Sequence, residues 1–322
     1  MYDLIDRIVN LDMGQRGVAG LYEPARALAG EPLCQAAARH LAGLEPGDCV
    51  FIITGSLSRA QISEQISEND GPIGAAVLAR AISFGFNAIP VVLTDPSVLH
   101  KIAKMIELAG PTAMTLHQAR AATALRRFTA TLVMESCTDD EDEAKETCAR
   151  LVETYQPKAV FTVERAGLHI DGTYRDMLGQ DYSMGRARLD HVVTEARYRG
   201  VPTVGIGDGG NEIGMGAIKE AVHLHVPHGE ILCAETKTDV VIPAGVSNWG
   251  CYGVVAALAM LVGRDRIVHT PELERRLIEF SPMVGLIDGT AGTLEPTVDG
   301  LPMDVHLSIV RLLGDIVRRS LS

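Results

Sequence analysis

A chain of 322 residues in which 47% of side chains are hydrophobic and 22% charged has the composition of an ordinary folded protein with ample core. Its formal net charge of -12, with no Lys/Arg-rich stripe, argues against nucleic acid or an anionic membrane as partner. A small anionic substrate would have to be held by local positive charge, helix N-termini or a bound metal. No run approaches the roughly 20 apolar residues of a spanning helix, Met1 to Asn10 carries Asp3 and Asp6 in place of a signal-peptide core, and the six scattered cysteines form no Cys-x-x-Cys pair, so a cytoplasmic protein with reduced thiols is expected.

In chain order, Leu4 to Val9 and Glu31 to Leu44 read as helices, the second stopped by Glu45-Pro46-Gly47-Asp48. Cys49 to Thr54 is a continuous apolar run bounded by polar turns, the pattern of a strand buried on both faces. Glu68-Asn69-Asp70-Gly71-Pro72 follows, then a helix over Ala75 to Phe84, a strand over Ala88 to Thr94 and a helix over Val98 to Leu108. Phe128 to Met134 reads as a strand, and the acidic run Thr138 to Glu146 reads as the charged entry to a helix ending near Tyr155. Ala159 to Val163 reads as a strand, Asp190 to Arg199 as a helix, Val201 to Ile206 and Asp239 to Ile242 as strands, and Cys251 to Leu261, Pro271 to Phe280 and His306 to Ser320 as helices.

This alternation predicts an α/β protein with a mainly parallel sheet flanked by helices, three-layered and Rossmann-like, either as one domain over residues 1–322 or as two lobes around an acidic cleft with a boundary near 125–155. The apolar Cys251 to Leu261 helix suits a buried position or a homodimer interface equally.

Four polar stretches follow predicted strands, where ligands collect in open parallel sheets. They are Thr54 to Pro72, Glu164 to Asp181, Gly207 to Gly216 and Gly245 to Gly250. The third, Gly-Asp-Gly-Gly-Asn-Glu-Ile-Gly-Met-Gly, is half glycine, and its Asp208, Asn211 and Glu212 are side chains that hold a cation or move a proton. The carboxylates of these segments include Glu68, Asp70, Glu164, Asp208 and Glu212, an oxygen-rich set that suits Mg²⁺ or Mn²⁺ better than zinc. His223, His225 and His228 alternate as an exposed strand face would, or as a pair of metal ligands. Trp249 reads as a packing anchor, while Ser247 and Asn248 either cap the following helix or offer donors to a substrate carboxylate. Glu212 stands where a dinucleotide fingerprint needs its last glycine, and no Walker sequence is present, so no nucleotide cofactor is expected.

Glu68-Asn69-Asp70-Gly71-Pro72, Glu164-Arg165-Ala166-Gly167 with Asp171-Gly172-x-Tyr174, Gly207 to Gly216, Gly245-Val246-Ser247-Asn248-Trp249-Gly250 and Glu295-Pro296-Thr297-Val298-Asp299-Gly300 together resemble the D-glutamate cyclase family. The resemblance runs from about Thr54 to Asp304, with Asn69 where the family motif carries Thr. It implies conversion of D-glutamate to 5-oxo-D-proline and water, a small acidic substrate, and an amine attacking a carboxyl carbon that needs help from a divalent cation and a general base. On that reading Asp208 and Glu212, with Asp70, hold the cation, and the N–H groups of Gly209 and Gly210 bind the oxyanion. Glu164 or His169 moves protons, Arg165 holds a substrate carboxylate, and Asn211, Ser247 and Asn248 line the substrate. Metal-dependent hydrolysis of a small phosphate ester, or binding of an acidic amino acid without turnover, are the alternatives that the same residues support.

Overall fold

A computed structural model describes residues 1–125 and 127–322. Seven parallel strands form the central sheet: β1 (Cys49–Thr54), β2 (Ile89–Thr94), β3 (Thr112–Ala113), β4 (Thr131–Ser136), β5 (Val160–Val163), β6 (Thr203–Gly207) and β7 (Val240–Pro243). Their spatial order is β3-β4-β2-β1-β5-β6-β7. The chain builds outward from β1 on one side, then crosses back to β5 and builds outward on the other, so the order reverses between β1 and β5. Such a reversal opens a crevice at the carboxyl ends of the two strands.

Alternation along each strand sends side chains to opposite faces. Val50 and Ile52 enter one core, and Cys49, Phe51 and Ile53 enter the other. The first core is covered by helices that include Leu33–Ala42, Pro72–Phe86, Ser247–Val262 and Met303–Leu321, and the second by Glu141–Tyr155 and Asp190–Tyr198. This is the three-layer α/β arrangement that the apolar runs predict. The 125–155 stretch contributes β4, which lies inside the sheet between β3 and β2. The helix expected from Cys251 begins at Ser247, and Cys251 to Ala259 are buried within the chain. No described helix is long and apolar enough to cross a membrane.

The edge strand Thr112–Ala113 carries no apolar signal, since both residues are exposed. One local expectation is corrected. The alternating histidines lie around a helix, Lys219–His225, in which positions 223 and 225 cannot share a face as they would on a strand. Their period of two is incidental there.

Register fixes the mouth of the sheet. Thr54 pairs with Val163, Val163 with Ile206, and Gly207 with Pro243, so four consecutive strand ends deliver their following residues to one edge. A second layer of loop closes over it. Ser67–Glu68 pairs in parallel with Leu286–Ile287, and Asn69 Nδ2 donates to Ser281 Oγ (3.1 Å) and to the Thr297 carbonyl (2.7 Å). These contacts bind the Glu68-Asn69-Asp70 turn to the 281–300 loop.

Candidate active site

Each acid of the mouth is placed by the strand before it. Glu164 is the first residue after β5 and Asp208 the first after β6, while Asp70 ends the loop that leaves β1. Glu164 adopts φ 47°, a left-handed conformation that costs a non-glycine residue of order 1 kcal/mol or more and tends to persist where function requires it. Gly71, at φ 89°, lies so close to it that a Cβ would stand 2.8 Å from Glu164 Cβ and 2.9 Å from Thr54 Oγ1. Only glycine lets the two loops approach.

Asp70 sits on the N-terminus of Ser247–Val262. Its Oδ1 accepts from the Asn248 amide (2.9 Å) and its Oδ2 from the Ser247 amide (3.1 Å), so the unpaired N–H groups and the helix dipole both favour its charge. The capping group is therefore Asp70, and Ser247 is the first helical residue, not its own cap. Ser247 Oγ instead donates to Glu164 Oε2 at 2.5 Å. Asn248 Oδ1 accepts from the amides of Gly71 (3.0 Å) and Gly74 (2.5 Å), clamping the two loops together.

Asp70, Glu164 and Asp208 converge: one carboxylate oxygen from each lies within 4.8 Å of the others. Asp70 and Asp208 are buried and Glu164 partly so. Burial first, and then repulsion from neighbouring carboxylates, Asp208 foremost, holds Asp70 and Glu164 well above the usual carboxylate range, while burial raises Asp208 to about 6, with Arg16 opposing the rise and Glu212 and Glu68 adding to it. Glu68 and Asp299, at the rim, are pushed up to about 7, chiefly by burial. An all-oxygen donor set with surplus negative charge is the chemistry that Mg²⁺ or Mn²⁺ prefers.

The rest of the glycine-rich turn serves as scaffold. Glu212 folds back on it: Oε1 accepts from the amides of Asp208 (2.9 Å) and Gly209 (2.6 Å), and Oε2 from that of Gly210 (2.7 Å). This corrects two expectations together. Glu212 stands outside the convergent triad, and the Gly209 and Gly210 amides already have an acceptor, because a carboxylate four residues on fits the nest of N–H groups that the glycines create. Asn211 Nδ2 donates to the Arg175 carbonyl (2.7 Å) and Tyr182 Oη (3.3 Å), tying the turn to the segment above it.

Arg165 and His169 are also placed elsewhere. Arg165 is 1% exposed and donates to Asp95 through both terminal nitrogens (2.7 Å each), to the Gly55 carbonyl (2.7 Å) and to the Ala187 carbonyl (2.6 Å), so all four hydrogens of its terminal nitrogens are engaged within the protein. His169 Nδ1 lies 3.1 Å from Asp171, outside the triad.

Three site residues were not singled out from the sequence. Arg16, in the loop after the helix Tyr2–Val9, donates from Nη1 to Asp208 Oδ2 at 2.6 Å and from Nη2 to Asp299. Asp299, at φ 56°, arrives from the 281–300 loop. Tyr182, raised to about 12 mainly by burial, stands beside Glu68, Glu164 and Glu212. Asp299 could have been found, since it lies in one of the quoted motifs. Arg16 could not, because 192 residues separate it from Asp208. A surface cavity of about 620 Å³ lies at the β3–β4 edge, lined by Thr115, Glu135, Arg150 and Tyr155, and includes none of the triad. A smaller one, of about 320 Å³, abuts Tyr182.

The raised acids make a measurable prediction. Between about pH 4, where these groups titrate in the unfolded chain, and about pH 7, the folded cluster holds more protons than the unfolded one. Its contribution to stability therefore falls as pH rises through that window. A cation that bound the folded state alone would offset the repulsion and, at a hundredfold excess over its Kd, add about 2.7 kcal/mol of stability by mass action. The rise in Tm on adding Mn²⁺ over EDTA is expected to be larger at about pH 7.5 than at about pH 5.5, where protons compete for the same oxygens. Scanning calorimetry at both values checks this, and an equal or reversed shift would contradict it.

Residues 5–314 match the family model described as D-glutamate cyclase-like, C-terminal. The human protein named D-glutamate cyclase, mitochondrial, is 30% identical over 190 residues, which span 49% of this chain and 29% of the human one. The matched region is thus less than a third of that relative's length. The strand-end acids, the glycine-rich turn and the Ser247-Asn248-Trp249 helix start all lie inside the family match, and the chain belongs to the D-glutamate cyclase-like C-terminal family.

Proposed function

We propose that the protein cyclises D-glutamate to 5-oxo-D-proline with loss of water, with Asp70, Glu164 and Asp208 holding a Mn²⁺ or Mg²⁺ ion. The observation that carries this reading is the convergence of those three carboxylates at the reversal point of the sheet, in a member of this family. When bound, the cation neutralises the reacting carboxylate and polarises its carbonyl.

The chain's own residues supply the rest. The reaction joins the α-nitrogen to Cδ and breaks a Cδ–O bond, and two protons leave the ammonium as two arrive on the departing oxygen, so charge and atoms balance. Groups that exchange protons near neutral pH are needed for both transfers. Glu68 and Asp299, each near 7 and outside the triad, fit that role better than His169, which the fold places elsewhere. Ser247 Oγ fixes the orientation of Glu164. Holding amine and carboxyl of one molecule in a ring-like pose removes much of the entropic barrier.

Incubation of the purified protein with D-glutamate and Mn²⁺, with chiral detection of 5-oxoproline, tests the reading. Product that forms with the ion and disappears with EDTA is expected. Tight binding of D-glutamate without product would favour a binding protein instead.

A further inference from the structure

We infer that Arg16 reads the substrate's spectator α-carboxylate, which makes the N-terminal loop part of the active site and sets specificity for a free acid at that position. This rests on the cyclisation reading above. D-Glutamate brings one ammonium and two carboxylates to a mouth crowded with acids. The acids suit the ammonium, and the γ-carboxyl is the group that reacts. The α-carboxylate needs a cation of its own.

Few cations can serve. Arg165 is 1% exposed, and both its terminal nitrogens are taken by Asp95 and two carbonyls. Arg186 is 1% exposed, stacks 3.6 Å from the Tyr182 ring centroid, and donates to the Tyr182 carbonyl (2.9 Å), Ser56 Oγ (3.3 Å) and the Leu57 carbonyl. Arg59 bonds Ser58 Oγ and the Gly289 carbonyl and forms no ion pair with the described acids. Of these four, Arg16 is the one that touches a triad acid while staying partly exposed. Its side chain keeps 22% exposure while touching Asp208 and Asp299. Of the five N–H groups of a guanidinium, the bonds to Asp208, Asp299 and Thr290 use three, and Nε and one Nη1 hydrogen have no acceptor among the described residues.

The loop is built to present it. Asp12 accepts the amides of Arg16 and Gly17 (2.9 Å each), closing a turn around the residue. Asn10 Nδ2 donates to the Val18 carbonyl (3.2 Å) and to the Pro243 carbonyl at the end of β7 (2.9 Å), and the Gly245 amide donates to the Val9 carbonyl (2.8 Å). The strap is thus pinned to the same strand end that supplies the Ser247 helix. Side-chain entropy is spent before substrate arrives, which favours specific recognition.

The test compares D-glutamate with its α-amide, D-isoglutamine, which lacks only the charge at that position. Wild type is expected to prefer the free acid. Arg16→Ala is expected to raise KM for D-glutamate by about 30-fold or more, the cost of removing one partner of a hydrogen-bonded charge pair, with kcat changed only a few-fold. It should bring the kcat/KM ratio of the two substrates close to one, and Arg16→Lys should restore part of the preference. If Arg16→Ala does not fold, Arg16→Lys and Arg16→Gln carry the same ratio test. Equal losses on both substrates, or a lower Tm with an unchanged ratio, would overturn the assignment while leaving the cyclase reading intact. A wild-type protein that makes no 5-oxoproline would overturn both.

Discussion

Asp208→Asn is expected to lower kcat/KM for D-glutamate about a thousandfold while leaving Tm unchanged or slightly higher. The activity loss follows from removing one of three convergent carboxylates, since stabilisation worth several kcal/mol converts at about 1.4 kcal/mol per factor of ten. The retained stability follows from crowding. Asp208 is among the charges that drive up Asp70, Glu164 and Asp299, so the neutral amide relieves repulsion at all three. Asparagine also keeps an oxygen where Arg16 donates at 2.6 Å. Crowded acids that cost stability and serve activity are the usual form of a stability–activity conflict. Steady-state kinetics and calorimetry on the same preparation check the pair of outcomes. Near-normal turnover would remove Asp208 from the proposed cation site.

Asp95→Ala is expected to destabilise the fold by about 3 to 5 kcal/mol, the cost of leaving a buried charge without its partner. Asp95 is fully buried, follows β2 directly, binds both terminal nitrogens of Arg165 after β5, and accepts the Ala187 amide at 2.7 Å. One carboxylate thus joins two strand ends and the segment above the mouth. Replacing both partners with apolar residues, as in Asp95→Leu with Arg165→Met, should recover part of the loss, because no uncompensated charge remains. Activity should fall in the single variant beyond what stability explains, since the anchored Arg165 directly follows Glu164, whose backbone is left-handed at φ 47°. Urea melts of the single and double variants measure the coupling. An additive double variant would show that the pair is not the unit described here.

The strands were legible because burial on both faces writes itself as an unbroken apolar run. Cys49–Thr54 coincides with its expected span, and Ile89–Thr94 and Val160–Val163 begin one residue inside theirs. Thr112–Ala113 was invisible because a two-residue edge strand buries nothing. At the site, the sequence pointed to acids after strands, and register then brought Asp70, Glu164 and Asp208 together. It could not say which donors were already taken. Glu212 looks like a ligand until its carboxylate is seen on the three amides of its own turn, and Arg165 looks like an anion site until Asp95 is found across the sheet. Arg16 has no local signature at all. Its neighbours in sequence form a turn, and its role depends on where that turn is pinned.

The most direct measurement is chiral chromatography of the reaction of wild-type protein with D-glutamate in Mn²⁺ and in EDTA, run beside Asp208→Asn. The account predicts 5-oxo-D-proline from wild type with Mn²⁺ and little or none from the other two conditions. Equal product with EDTA, or no product with any divalent cation while D-glutamate remains bound, would contradict it.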